Sequence, residues 1–458
     1  MRTGELGLWW RSIGGVPAPR APLPGSGEAD VTIVGAGFTG LWTAYYLKRA
    51  RPSLEVVVLE RETAGFGASG RNGGWVSGFF SGSPRLYERR GGRAGFAALQ
   101  QEMLATVDEV GRVIAEHGMD ADFIKPGQLS VAMDAAQLTR LRERVASGRE
   151  RGLGGSDLHL LDAEQLGARV RVAGALGATF TPHVARMQPA KLVLGLAAAV
   201  ESLGVRIYEQ TAVQRIAPRT AVTATGAVSA RWVVRATEGY TPSLPGLERL
   251  LVPINSSMIV TEPLPAPVWE EIGWEGCELL DDAAHVYVYL QRTEDGRIVI
   301  GGRGVPYRFR SATGGRGETG RATIEHLRAK LAEMFPPAGA AKLDHAWSGV
   351  LGVPRDWCAS VHADPTSGLA WAGGYVGLGV ASANLAARAL ADLILGERSE
   401  LTALPWVGRT PRRWEPEPLR WVAIRGTYAL YRGADRLERR SGRPSSLGGL
   451  VDVISGRH

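Results

Sequence analysis

At 458 residues, 45% hydrophobic and 22% charged, the chain has the make-up of an ordinary globular protein with room for two or three domains. Its net charge of +7 comes from 53 basic residues, of which only 5 are lysine. They are spread over the whole length, which argues against a nucleic-acid-binding stripe. Two cysteines, Cys277 and Cys358, lack the spacing of a metal site, so no metal is expected, and they suit a reducing, cytoplasmic compartment. No N-terminal stretch reads as a secretion signal, and the longest apolar run, 192–200, is too short to span a bilayer.

Residues 1–27 hold Trp9, Trp10 and a proline cluster, and read as an extended arm anchored by the tryptophans. An apolar run then leads into Gly35-Ala-Gly37-Phe38-Thr39-Gly40, a helical stretch over 41–49, and a second apolar run, 56–59, that ends on Glu60. This is a strand, a glycine turn, a helix and a strand closed by a carboxylate. Gly35 permits the tight turn, Gly37 admits a pyrophosphate to the backbone, and Gly40 lets the helix lie close on the strand. The helix N-terminus offers N–H groups to the phosphates, and Glu60 suits a ribose hydroxyl pair. A carboxylate there disfavours NADP; Arg61 follows on the opposite face of the strand. These residues leave both NAD and FAD open.

Glycines and serines dominate 65–82, which reads as a long loop. Helices are predicted over 96–118, 134–150 and, with a capped start, 162–167. Another opens at Pro189 and ends at Gly204. Short strands run from 205 to 234, and strong alternation marks strands at 251–261, 284–292 and 297–302, the last two joined by the turn 294–297. A helix over 321–335 stops at Pro336-Pro337. A strand at 368–372, a second glycine run, 373–379, and a helix over 381–395 close the α/β part. The fold class is α/β (α+β overall). A discontinuous nucleotide-binding domain (28–85, 165–245 and 340–400) interleaves with a mixed-sheet substrate domain (86–164 and 246–339). Residues 401–458 form a Trp/Arg-rich extension in which Trp421, Ile424, Tyr428 and Tyr431 share one helical face, read as a packing face.

The loop Ala68-Ser69-Gly70-Arg71-Asn72-Gly73-Gly74, the glycine fingerprint with Glu60 and the 373–380 segment together resemble the D-amino-acid-oxidase superfamily of FAD enzymes. The γ-glutamylputrescine oxidoreductase-like and the glycine and sarcosine oxidase-like members look most similar. The resemblance covers roughly 28–400. It implies a Rossmann-like FAD-binding domain of the glutathione-reductase type and places Gly35, Gly37, Phe38, Thr39, Gly40, Glu60 and Arg61 at the FAD. It adds Ala68, Ser69, Arg71, Asn72, Gly73, Gly74, Val213, Gly374, Gly377, Leu378, Gly379 and Val380. The implied reaction is oxidation of a primary or secondary amine to an imine by hydride transfer to flavin N5, then hydrolysis, with O2 or another electron acceptor. In such enzymes the protein's main task is to bind and orient the neutral amine.

On the 284–292 strand, His285, Tyr287, Tyr289 and Gln291 share a face that is a candidate cavity lining, as is the face of Asn255 and Ser257. Trp347 and Asp356 are candidates for closing the site. Arg303 is the candidate anion anchor, because its planar fork grips a carboxylate. Two departures from the sarcosine-oxidase-like pattern stand out: Val299 takes the place of an oxygen-promoting lysine, and Ala381 that of a carboxylate-binding lysine. No cysteine stands where tethered relatives bind FAD, so a non-covalent cofactor is expected. Competing readings are a flavin-dependent monooxygenase and a flavoprotein subunit of a larger dehydrogenase assembly.

Overall fold

The computed structural model describes residues 1–303, 307–313 and 315–456. In the first of two main sheets, Arg206–Tyr208, Val56–Leu59, Gly27–Val34, Ala227–Arg235 and Leu369–Gly373 run side by side and parallel. Every residue of Val56–Leu59 is buried, as a continuous apolar run requires when both sheet faces are covered. The helices Phe38–Ala50, Pro189–Ser202 and Gly379–Leu395 supply much of that cover. The helix expected over 96–118 is the latter part of a longer one, Pro84–Glu116, that kinks at Gly92, whose φ of 67° is open to a glycine.

The second sheet has nine strands, in the order Arg2–Thr3, Leu343–Val353, Val252–Thr261, Ile298–Gly302, Val288–Arg292, Leu279–Asp282, Gln128–Ala132, Gly177–Thr181 and His159–Asp162. Gly177–Thr181 and Leu343–Val353, placed by sequence with the nucleotide-binding part, pair into this sheet instead. Alternation identifies a strand but carries nothing about its partner.

The strand expected at 284–292 begins only at Val288. The Asp435 carboxylate accepts the N–H groups of His285 and Val286, at 2.9 and 3.2 Å, and so takes the donors a ladder would use. His285 therefore sits in a turn, not on the strand face proposed for it.

The N-terminal arm is built into the body. Its first residues add to the edge of the nine-stranded sheet, and Trp9 and Trp10 are buried. Burial of each ring is worth roughly 2 kcal/mol. At the other end, Leu419–Ser441 and Ser446–Ser455 form a helical pair. Ile424, Tyr428 and Tyr431 of the first are buried, as their spacing suggests, and Ile424 and Tyr428 pack with Val252, Ile254, Tyr307 and Val376. No helix among the described residues is long and apolar enough to cross a membrane.

Candidate active site

The glycine fingerprint forms a trough whose shape leaves no room for side chains at two positions. A Cβ on Gly40 would lie 2.0 Å from the Gly35 carbonyl oxygen, and one on Gly35, at φ 110°, would lie 2.7 Å from the Ala236 oxygen. Gly37 precedes the Phe38–Ala50 helix, whose first N–H, that of Phe38, donates to the Ser69 hydroxyl at 2.8 Å. Glu60 stands beside it, accepting N–H donors from Ala36 at 2.8 Å and Glu62 at 2.9 Å. Burial raises its carboxyl above the usual range. Arg61 lies over the Tyr240 ring, 5.1 Å from its centroid, and Val213 closes the same trough.

Ala68 lines both this trough and a larger cavity of about 610 Å³, so the two are adjacent. Arg71, Asn72, Gly73, Gly377, Leu378 and Val380 also line the cavity. Arg71 is 1% exposed; its Nε donates to the Phe66 oxygen at 2.7 Å, while Nη2 is buried without a partner. The Gly379–Leu395 helix has no side-chain cap, and its first turn brings its N–H dipole end to the cavity through Val380. Two helix N-termini, glycine backbone, the Ser69 hydroxyl and an orphaned buried guanidinium nitrogen suit a long anionic cofactor with a polar ring, and FAD fits this donor set.

Strand register builds the cavity floor. Directly paired residues on neighbouring strands face the same side. Met258 pairs with Gly301, Gly301 with Tyr289, Tyr289 with Asp281, Asp281 with Ser130 and Ser130 with Thr179. One row thus crosses six strands, apolar and aromatic near the glycine loops and polar beyond. At about 4.8 Å per strand, Thr179 stands roughly 14 Å from Tyr289. The Tyr289 ring lies over Gly301 and against Gly73, where added Cβ atoms would meet it at 2.2 and 2.8 Å. Its hydroxyl hydrogen-bonds Ser256 at 2.8 Å, and burial pushes its pKa up to about 12, so it is a neutral group and not a base at neutral pH. At the polar end, Asp281 Oδ1 accepts from Ser130 at 2.6 Å and from Gln128 at 3.0 Å.

The candidate residues divide. Tyr287, Tyr289 and Arg303 line the cavity, with Tyr287 leading into its strand. Arg303 donates to the Tyr428 hydroxyl at 3.0 Å and the Val376 carbonyl at 3.2 Å, and its guanidinium lies 5.8 Å from the Tyr287 ring centroid. His285, at the rim, stacks on Tyr431 and bonds Glu438 at 3.1 Å, so it serves the C-terminal helix. The alternation read at Asn255 and Ser257 has the opposite parity: Ser256 and Met258 face the cavity, while Ser257 bonds Ser348 at 2.9 Å. Trp347 sits inside the Leu343–Val353 strand, and its Nε1 donates to the Arg71 oxygen at 3.0 Å. Asp356 pairs with Arg409 away from the cavity. Gly374 turns its N–H to Glu238 at 3.1 Å, and Gly74 and Gly379 supply backbone near the cavity without appearing on its wall. Cys358 is buried with its Sγ against Gly82, outside both cavities, and burial raises its pKa to about 11.

Sequence reasoning missed Gln128, Ser130, Asp281 and Glu238. Glu238 lines the trough, and its Oε1 accepts N–H donors from Gly374 and Tyr375 at 3.1 Å each, while Oε2 lies against Gly352. Burial raises its pKa from 4.5 to about 7, against the pull of those N–H groups and Arg235. Its position directly after the Ala227–Arg235 strand was the available signal, because ligands gather at the carboxyl ends of parallel strands.

Comparison with known proteins agrees with this geometry. The chain is 31% identical over 398 residues to γ-glutamylputrescine oxidoreductase of Escherichia coli (strain K12), covering 84% of this chain and 88% of that protein. Glycine oxidase of Geobacillus kaustophilus is 25% identical over 387 residues, 81% of this chain and 93% of its own. The crystal structure of glycine oxidase from that organism superposes with a TM-score of 0.69 at 21% identity, covering 81% of this chain and 96% of that one. L-proline dehydrogenase from P. horikoshii gives 0.66 at 18% identity, with 84% and 98% covered. The DAO family of FAD-dependent oxidoreductases matches residues 30–393. With the fingerprint, the trough and the second glycine segment all inside that span, the chain belongs to the DAO family and is an FAD-dependent oxidoreductase.

Proposed function

We propose that this enzyme oxidises the C–N bond of a primary or secondary amine that carries a polar or anionic tail, leaving an imine that water hydrolyses to a carbonyl compound and the released amine. FAD, when bound, supplies the acceptor for the hydride. The observation that carries the reading is Arg303: an enclosed guanidinium on the cavity wall whose hydrogen-bond partners are a tyrosine hydroxyl and a backbone carbonyl, with no carboxylate ion pair among the described residues. Such a cation is completed by an anionic substrate group in bidentate contact.

Tyr289 and Tyr287 wall the cavity beside it, fix the amine sideways and exclude water. A polar tail that carries a hydrogen-bond donor instead of an anion runs along the paired row toward Asp281, Ser130 and Gln128. Val299, 1% exposed, is packed with Met258 and Val260 in the core. O2 or another electron carrier reoxidises the cofactor. The free thiols Cys277 and Cys358 suit the cytoplasm. The relatives named as amine and amino-acid oxidoreductases support the reaction class.

The test is the visible spectrum of the FAD-loaded protein under anaerobic conditions, before and after a pool of primary and secondary amines is added. Bleaching of the flavin band by amines with an anionic tail supports the reading, and admission of air then reports on oxygen. A band that no amine alters sinks it.

A further inference from the structure

The C-terminal helix Leu419–Ser441 has a second apolar face, opposite the one that packs on the body. Leu419, Val422, Leu430 and Leu437 recur at helical spacing and are 62, 57, 43 and 52% exposed. Ala423, Gly426 and Ala429 continue the same small or apolar surface. The following helix adds Leu450 and Val453, 56 and 60% exposed and three residues apart. Leu447 bridges the two helices, since a Cβ on Gly433 would lie 3.9 Å from its side chain. Most of the strongly exposed large apolar side chains among the described residues therefore fall on this one helical pair.

The charge that the helix itself presents outward is basic. Arg425, Arg432, Arg436 and Arg440 are exposed along it, Arg439 is exposed but pairs with Glu333 at 3.0 Å, and Arg443 follows. Both acids of the helix turn inward: Asp435 holds the His285 and Val286 N–H groups, and Glu438 engages Arg140, His285 and the Ser445 N–H. What remains outside is leucine and valine beside a row of arginine.

We propose that this helical pair docks the enzyme on an anionic lipid surface, lying in the interface without spanning it. An apolar stripe flanked by arginine is the chemistry that seats in the headgroup layer of negatively charged lipid, where burial and counter-charge act together. Neither helix is long and apolar enough to cross a bilayer. Charge complementarity favours lipid over a second copy of the chain, because a two-fold contact along the stripe would bring the arginine rows together. The inner face of the same helix carries Tyr428, which holds Arg303, so the docked surface and the wall of the substrate cavity share one element.

The experiment is flotation of the FAD-loaded full chain with vesicles of phosphatidylcholine alone and with a third phosphatidylglycerol, at low and high salt. The expected result is binding to the anionic vesicles only, weakened by salt. Arg432→Gln/Arg436→Gln/Arg440→Gln and, separately, Leu430→Ser/Leu437→Ser/Leu450→Ser should each reduce it by about tenfold or more, with flavin content and amine-driven bleaching unchanged. Light scattering runs in parallel. Absence of wild-type binding, equal binding to both vesicles, or a dimer that the leucine variant turns into a monomer would overturn the proposal. Vesicle binding, flavin content and light scattering do not depend on which amine is the substrate, so they stand even if the proposed amine oxidation fails.

Discussion

Arg303 Nη1 donates to the Tyr428 hydroxyl at 3.0 Å, across 125 positions of sequence. The cation proposed to anchor the substrate is thus oriented by a residue of the C-terminal extension, which lies outside the span matched by the family. A hydrogen bond to a charged group is worth roughly 1.5–3 kcal/mol when buried.

Tyr428→Phe removes that acceptor but keeps the ring. Arg303 retains the Val376 carbonyl, so it is loosened and not lost. The expected outcome is a KM for anionic-tailed amines raised about tenfold, with flavin content and kcat near wild type. Arg303→Met should cost more, about a hundredfold in kcat/KM, and only for substrates that carry the anion. Steady-state kinetics on matched anionic and neutral amines separates the two.

Asp281 tests the tail. Its Oδ1 is occupied by Ser130 and Gln128, and the residue lines the cavity one strand beyond Tyr289. Asp281→Asn should raise KM by about tenfold for amines whose tail ends in a hydrogen-bond donor, and leave plain alkylamines unchanged. An equal loss for both groups would assign Asp281 a structural role.

Gly40 is the decisive position of the fingerprint. Gly40→Ala places a Cβ 2.0 Å from a backbone oxygen that has no rotamer to move into. The variant should lose roughly 2 kcal/mol or more of stability and purify with little flavin. Gly37→Ala meets the Ser69 hydroxyl at 2.9 Å, which can turn away only by giving up the Phe38 N–H it accepts at 2.8 Å. It should fold and bind FAD more weakly, as read by absorbance ratio and melting temperature.

Glu238 gives a pH dependence with a definite sign. Its pKa rises from 4.5 to about 7 on folding, because burial disfavours the carboxylate. Between these values the folded state binds the extra proton. This group's contribution to stability is therefore full below about pH 4.5, and is lost as pH rises through about 7. Glu238→Gln removes the ionisation while an amide oxygen still accepts from Gly374 and Tyr375. The variant should gain on wild type by roughly 1–3 kcal/mol between pH 5 and pH 8, measured by urea unfolding at each pH. A constant difference across that range would refute the assignment.

Local pattern decided a good deal of this protein. The spacing of Gly35, Gly37 and Gly40, the apolar runs on either side and Glu60 dictate a strand–turn–helix–strand unit, because each residue acts on backbone within a few positions of itself. The second glycine run with its following helix, and the inward face of Ile424, Tyr428 and Tyr431, were legible for the same reason. The substrate cavity was not. Asn255 and Ser257 alternate correctly with their neighbours, yet which parity faces the cavity is set by pairing with Gly302 and Gly301 in another strand. His285 left the expected strand because Asp435, 150 residues away, takes its N–H. Asp281 reached Tyr289 through register, and Arg303 found Tyr428 through packing of the extension. Sequence by itself determined the cofactor-binding unit, whose determinants are short-range. Only the tertiary structure decided what surrounds the substrate, because strand register and helix docking are set by pairings across the whole chain that no local pattern carries.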